Sequence, residues 1–130
     1  MSVTHSAPLR NTIATAVRDA IDGGAGAGKL VFRLTGSVSS PGTAVATLTL
    51  TDPCGSVSGE TLTFSSITSD TNATGNASAV AAATLQTSAD TVCIHFAVGS
   101  SGSDINMSGG LTINAGDTVS CSSLAYTAPV

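Results

Sequence analysis

The sequence is poor in charge, in aromatic side chains and in large aliphatic ones. Of its 130 residues only four are Lys or Arg and eight are Asp or Glu, giving a net charge of −4. Binding nucleic acid through its phosphates needs clustered cations, which this chain does not have. Tryptophan is absent, and three Phe and one Tyr complete the aromatic set. That is too few for a base-stacking platform or a sugar-stacking site. No apolar run approaches the ~18 residues that a membrane span requires, so no membrane partner is expected. Met1-Ser2-Val3-Thr4-His5-Ser6 is not a basic segment followed by an apolar one. No secretory leader is expected either.

Cysteine is scarce as well. Cys54, Cys93 and Cys121 are odd in number and widely spaced. This is not a disulfide framework. One pair forms if the fold brings two together; otherwise the three are free, mostly buried thiols of a protein made inside a cell. What the chain does have is small residues. Ser, Thr and Ala number 19 each and Gly 14, so four small types fill 71 of 130 positions and leave little bulk for a core. Disorder needs low hydrophobicity together with high net charge, and here the charge is missing. The composition therefore reads as one folded, β-rich, thinly filled domain.

Periodicity divides the chain. Residues 1–6 read as a loose arm. Residues 7–22 read as a helix, because Leu9, Ile13, Val17 and Ile21 recur every four positions with Ala16 and Ala20 alongside. Asn11, Arg18 and Asp22 lie opposite. Pro8 suits the first turn, Ser6 or Ala7 the cap, and Gly23-Gly24 a left-handed stop. The apolar stripe must be buried, against the chain's own domain or against a partner subunit. Residues 23–28 read as a flexible glycine-rich linker. Residues 29–130 then change to period two and read as an antiparallel β-sandwich or jelly roll of six to eight short strands. The strand segments are Leu30 to Leu34, Ala44 to Leu50, Leu62 to Phe64, Thr91 to Val98, Leu111 to Ile113 and Val119 to Tyr126. Residues 77–86 are Ala-rich and bounded by turn formers; a strand is preferred there, although Ala favours a helix. Pro41-Gly42, Asp52 to Gly55, Asn72 to Asn76, Gly99 to Asp104, Gly109-Gly110 and Ala115 to Asp117 mark the turns.

Each chemical motif meets a simpler explanation. Gly23, four residues, then Gly28-Lys29 has the spacing of a phosphate-binding loop, but Leu30 stands where Ser or Thr belongs. The context is also inverted, since a phosphate loop leads from strand to helix. Cys93 and His95, two apart on a strand, share a face, and with Cys54 and Cys121 they form a conceivable zinc set. The short paired spacings of zinc sites are missing. His95 with Asp90 or Asp104 and any nearby Ser is a triad only by abundance of Ser, and no Gly-x-Ser-x-Gly elbow occurs. Glu60 is the sole glutamate. Asp52, Asp70, Asp104 and Asp117 are scattered, without a calcium loop. Glycosylation sequons begin at Asn72, Asn76 and Asn106, and without a secretory route they are expected to be silent. The expectation is a protein that is not an enzyme and has no catalytic residues, no metal and no cofactor.

Several segments taken together point to a family. These are Leu9-Arg10-Asn11-Thr12-Ile13-Ala14 with Val17, Asp22-Gly23-Gly24-Ala25-Gly26-Ala27-Gly28-Lys29-Leu30, and Ala46-Thr47-Leu48-Thr49-Leu50 followed by Asp52-Pro53. Val98-Gly99 to Asp104-Ile105-Asn106 and Gly116-Asp117-Thr118-Val119 follow. Over most of its length the chain resembles a family of small tailed-bacteriophage virion proteins. The resemblance implies a non-catalytic head decoration or cement protein. Its partner would be the major capsid protein of the same phage, and its place the capsid surface, after synthesis in the host cytoplasm. The three cysteines depart from the family's pattern, and no family binding residue transfers. Contact residues therefore rest on physics. A thin core and an uncharged surface favour a homo-oligomer, dimer or trimer, with the helix stripe Leu9, Ile13, Val17 and Ile21 and the arm as contacts. The alternatives are a tail, collar or fibre protein, an adhesin-like binding module, and a minor hydrolase built on His95.

Overall fold

The structure, a computed structural model, describes residues 3–130. It is mainly β with one N-terminal helix, as the periodicity leads one to expect. Helix α1 runs over Ala7–Ile21. Ser6 caps it, its side chain accepting from the Leu9 amide at 3.3 Å, and Pro8 lies in the first turn, where an amide would be unpaired anyway. The C-cap is Asp22. Gly23 and Gly24 are not left-handed, contrary to the sequence expectation. Close packing explains the glycine at 24: a Cβ there would overlap the Ser88 side chain. A Cβ on Gly28 would strike Ile21 and the Gln86 carbonyl. The segment is also tied down, with the Gly26 amide on Ser88 Oγ at 3.2 Å and the Leu50 amide on the Gly28 carbonyl at 3.0 Å. The supposed flexible linker is thus a packed turn.

Eight strands follow: β1 (Lys29–Arg33), β2 (Ala44–Thr49), β3 (Gly55–Ser58), β4 (Thr61–Phe64), β5 (Ala82–Gln86), β6 (Val92–Gly99), β7 (Ile105–Asn106) and β8 (Ala125–Thr127). One sheet has the order β2-β1-β5-β6-β7 and is antiparallel except for the β6–β7 pair. The other has the order β3-β4-β8. In the larger sheet Leu30 stands between Leu48 and Leu85, and Phe32 between Ala46 and Ala83. Leu85 and Ala83 in turn face Ile94 and Phe96. Strand side chains alternate, so this grid lines one face. It forms a single core with Leu62 and Phe64 of β4, Cys54, and Ala14 and Ile21 of α1. Helix α1 packs chiefly on β3 and β4.

Several strands differ from the sequence expectation. Residues 111–113 form no strand; Leu111 and Ile113 only accept single bonds from the Val80 and Asn76 amides. Turns at Ser108-Gly109 and at residues 115–116 leave no length for a ladder, although Ile113 is still buried. Of residues 119–126 only the last two lie in a strand, β8, and Val119 makes an isolated bridge to Asp70. The Ala-rich segment forms a strand over Ala82–Gln86 alone, and no helix. Small Ala82 and Ala83 suit it, because β5 is buried along its whole length. Strands β3 and β7 were not foreseen, since Val57 and Ile105 are the only large apolar residues in them. Among the described residues no helix is long and apolar enough to cross a membrane.

Candidate functional site

Most of the groups that might do chemistry hold the fold together, His95 Nε2 being the exception. Cys54 is buried in the core, and its amide donates to the Asp22 carboxylate at 2.9 Å, joining the end of α1 to the start of β3. Burial, reinforced by the Asp22 charge, pushes the Cys54 thiol up to about 12. Burial also raises Cys93 and Cys121. An activated nucleophile needs the opposite shift. All three cysteines are free, and among the described residues no three His, Cys, Asp or Glu side chains cluster as a metal site would require. His95 stands opposite Thr84 in the β5–β6 ladder, and its buried Nε2 has no partner among the described residues. Asp104 accepts from the Ala97 amide, Asp70 from Thr47 and Asn72, and Asp117 from Asn114. These carboxylates cap turns in the manner usual for Asp. Native-state alkylation is therefore expected to modify the half-buried Cys93 and Cys121 more slowly than an exposed thiol and to leave Cys54 unmodified until the chain unfolds; mass spectrometry of the labelled protein checks this.

The face of the larger sheet that points away from the core carries a hydrogen-bonded row. The Arg33 guanidinium donates to Thr84 Oγ1 at 3.1 Å, Gln86 Oε1 at 3.0 Å and the Gly42 carbonyl at 2.7 Å. Gln86 Nε2 donates to Asp90 Oδ1 at 3.0 Å, and Lys29 Nζ meets the same oxygen at 2.8 Å. Lys29, the candidate phosphate ligand, is thus half of an ion pair. Asp90 sits in the tight β5–β6 turn at φ 67°, a conformation Asp tolerates better than most residues. Its hydrogen bond from Lys29, then that from Gln86, holds its carboxyl below the ordinary range. A carboxyl lowered in the folded state stabilises above its unfolded value, about 3.9, and loses that contribution as pH falls through the folded value. The melting temperature of Asp90→Asn is accordingly expected to fall less steeply than that of the parent below about pH 4, as followed by circular dichroism.

The other distinctive region is the end where the two termini meet. Arg10, on the first turns of α1, donates to the Ala128 carbonyl at 2.9 Å and the Pro129 carbonyl at 3.1 Å. Its guanidinium also lies 3.6 Å from Glu60. Asn11 donates to the Gly59 carbonyl at 2.6 Å, and His5 Nδ1 to the Val130 carbonyl at 2.9 Å. The described part of the arm is therefore fastened rather than loose; Met1 and Ser2 lie outside the described residues. Around this clasp stand Val3, Leu9 and Val130, exposed by 74%, 45% and 70%. They are three of the four large apolar side chains exposed among the described residues; Val38, on the β1–β2 turn, is the fourth.

The helix stripe divides accordingly. Ile21 is fully buried and Val17 packs on the core, so both belong to the chain's own interior. Ile13 is half-buried, and Leu9 alone presents surface. The clasp was missed in the sequence because its partners lie more than a hundred positions apart. Its one visible trace is a lone Arg10 beside an apolar stripe. A cavity of about 520 Å³ between the loops of residues 104–124 has Phe32 and Ile113 among its lining residues. Asp104 and Asp117 border it, each with one oxygen on an amide. No protein-family model matches the chain, and neither a curated protein nor a solved structure is similar to it.

Proposed function

We propose that this chain is a non-enzymatic structural protein of a tailed-phage virion, a decoration or cement protein that binds the capsid shell and stabilises the head. The supporting observation is the clasped end. The His5 and Arg10 bonds to the C-terminal carbonyls fix the two chain ends on which Val3, Leu9 and Val130 are exposed, so the ordering cost there falls on folding and not on docking. A preorganised apolar patch on a small, weakly charged domain suits a contact repeated over a symmetric shell. The resemblance of the chain to small virion proteins supplies the partner, the major capsid protein. In the same reading the two sheets, facing each other across one core with α1 alongside, form a β-sandwich. Among the described residues the thiol that meets a carboxylate, Cys54 beside Asp22, is buried and pushed up to about 12, which favours a binding role over a hydrolytic one.

The test is co-sedimentation of the purified chain with expanded capsid shells. Parent protein is expected to pellet with shells at saturable stoichiometry. Leu9→Lys, at an exposed position, is expected to fold normally and to bind at least tenfold more weakly. Parent protein that stays in the supernatant at every concentration overturns the reading.

A further inference from the structure

We propose that the outer edge of β8 is the contact through which two copies of this chain join, antiparallel, about a two-fold axis at Tyr126. Strand β8 uses alternate residues to hold β4: the Phe64 amide donates to the Leu124 carbonyl, Leu62 faces Tyr126, and the Ala128 amide donates to the Glu60 carbonyl. In an antiparallel ladder the intervening residues aim both their backbone groups the other way. These are Ala125 and Thr127. Both are exposed, and among the described residues nothing bonds to their amides or carbonyls.

The edges of the larger sheet are managed differently. That of β2 is covered by Thr68, which exchanges two bonds with Thr49, by the Asp70 carboxylate on the Thr47 amide, and by Gly75 on the Val45 carbonyl. The edge of β6 is interrupted by a register shift at Leu85/Gln86, capped at Ala97 by Asp104, and paired with β7 at Val98–Gly99. Strand β3 lies with β4 against α1, and at its outer edge Gly55 is buried and Val57 half-buried, unlike the exposed Ala125 and Thr127. Bulges, caps and charges are the usual protection of an edge, and β8 has none of them. Residues 121–130 contain no charged side chain, so nothing along the strand repels a second copy.

A second copy is the occupant that fits best, because the edge is its own complement. With Tyr126 opposite Tyr126 of the second copy, Ala125 faces Thr127 and Thr127 faces Ala125. Each of those pairs exchanges two main-chain hydrogen bonds, which satisfies all four open donors and acceptors on each side of the axis together. The two three-stranded sheets become one of six strands, a more stable unit than either alone. This pairing stands whether or not the protein binds a shell.

The experiment is sedimentation velocity of the full chain over a concentration series, with two variants. The parent is expected to show a monomer–dimer equilibrium. Ala125→Pro removes one outward amide and no intramolecular bond. It is expected to keep the parent circular dichroism and to raise the dimer dissociation constant at least tenfold. Tyr126→Cys tests the register: residues opposite each other in a non-hydrogen-bonded pair lie within disulfide reach, so mild oxidation is expected to give a covalent dimer. A parent that is monomeric throughout, or trimeric, overturns the proposal. So does a dimer that persists in folded Ala125→Pro and fails to cross-link through position 126.

Discussion

Leu85→Ala is expected to lower the unfolding free energy by about 3–5 kcal/mol, the upper range for a fully buried leucine. Leu85 has no solvent exposure and lies on β5, the middle strand of the larger sheet. It faces Leu30 on one side and Ile94 on the other. Its nearest β5 neighbour on the same face is Ala83, which has no bulk to move into the space left. A cavity that cannot collapse costs more than the transfer of the lost methyl groups alone. In a domain with 71 small residues among 130, the few large aliphatic side chains hold a disproportionate share of the core. Total stability of an ordinary domain is about 5–15 kcal/mol, so this single change is expected to remove a large share of it. Leu9→Ala removes the same atoms from an exposed site and is expected to change stability by less than about 0.5 kcal/mol. Urea titration of the two variants compares them directly, and equal losses would show that the helix start is buried.

Arg33→Met is the second large effect, expected at about 2–4 kcal/mol from the loss of charge-assisted bonds to partly buried acceptors. Met keeps the length of the side chain but none of its donors. The Gly42 carbonyl and Thr84 Oγ1 each lose the Arg33 donor, and Gln86 Oε1 keeps only the bond from Thr84. Arg33→Lys is expected to recover less than half of the loss, because one ammonium cannot reproduce a fork that reaches three acceptors. Lys29→Met, which removes an ion pair with a largely exposed Asp90, is expected to cost no more than about 1 kcal/mol. The row is therefore held at its Arg33 end. Equal effects of the Arg33 and Lys29 substitutions would contradict this.

What could be read from the residues follows from the range of the interactions. The fourfold recurrence from Leu9 to Ile21 marks α1, since helix contacts are local. It does not say which end is buried; that depends on Asp22 holding the Cys54 amide and on Arg10 reaching the C-terminus. The alternation of Leu30, Phe32, Leu48 and Phe96 marks the core face of the larger sheet. Val31 breaks the pattern by being buried as well, because Lys29 and Arg33 flank it on the face opposite the core. At residues 111–113 and 119–124 the alternation is present, yet the neighbours there offer only single bonds or an isolated bridge and no continuous ladder. An alternating pattern records a tendency, and a partner is needed to make it a strand. Glycine misled in another way. At Gly24 and Gly28 it answers to Ser88 and Ile21 packed against it, which no local rule foretells. The surface around Val3, Leu9 and Val130 was legible only in part, because the His5 and Arg10 bonds that assemble it join the two ends of the chain.

The central claim is that the clasped end docks this protein on a capsid shell. Cryo-electron microscopy of the particle in which the proposed role would place the chain tests it most directly. Density for the domain is expected on the outside of the head, with the end that carries Val3, Leu9 and Val130 turned toward the capsid subunits. Density confined to the tail, collar or fibres, or a particle without the protein, would contradict it.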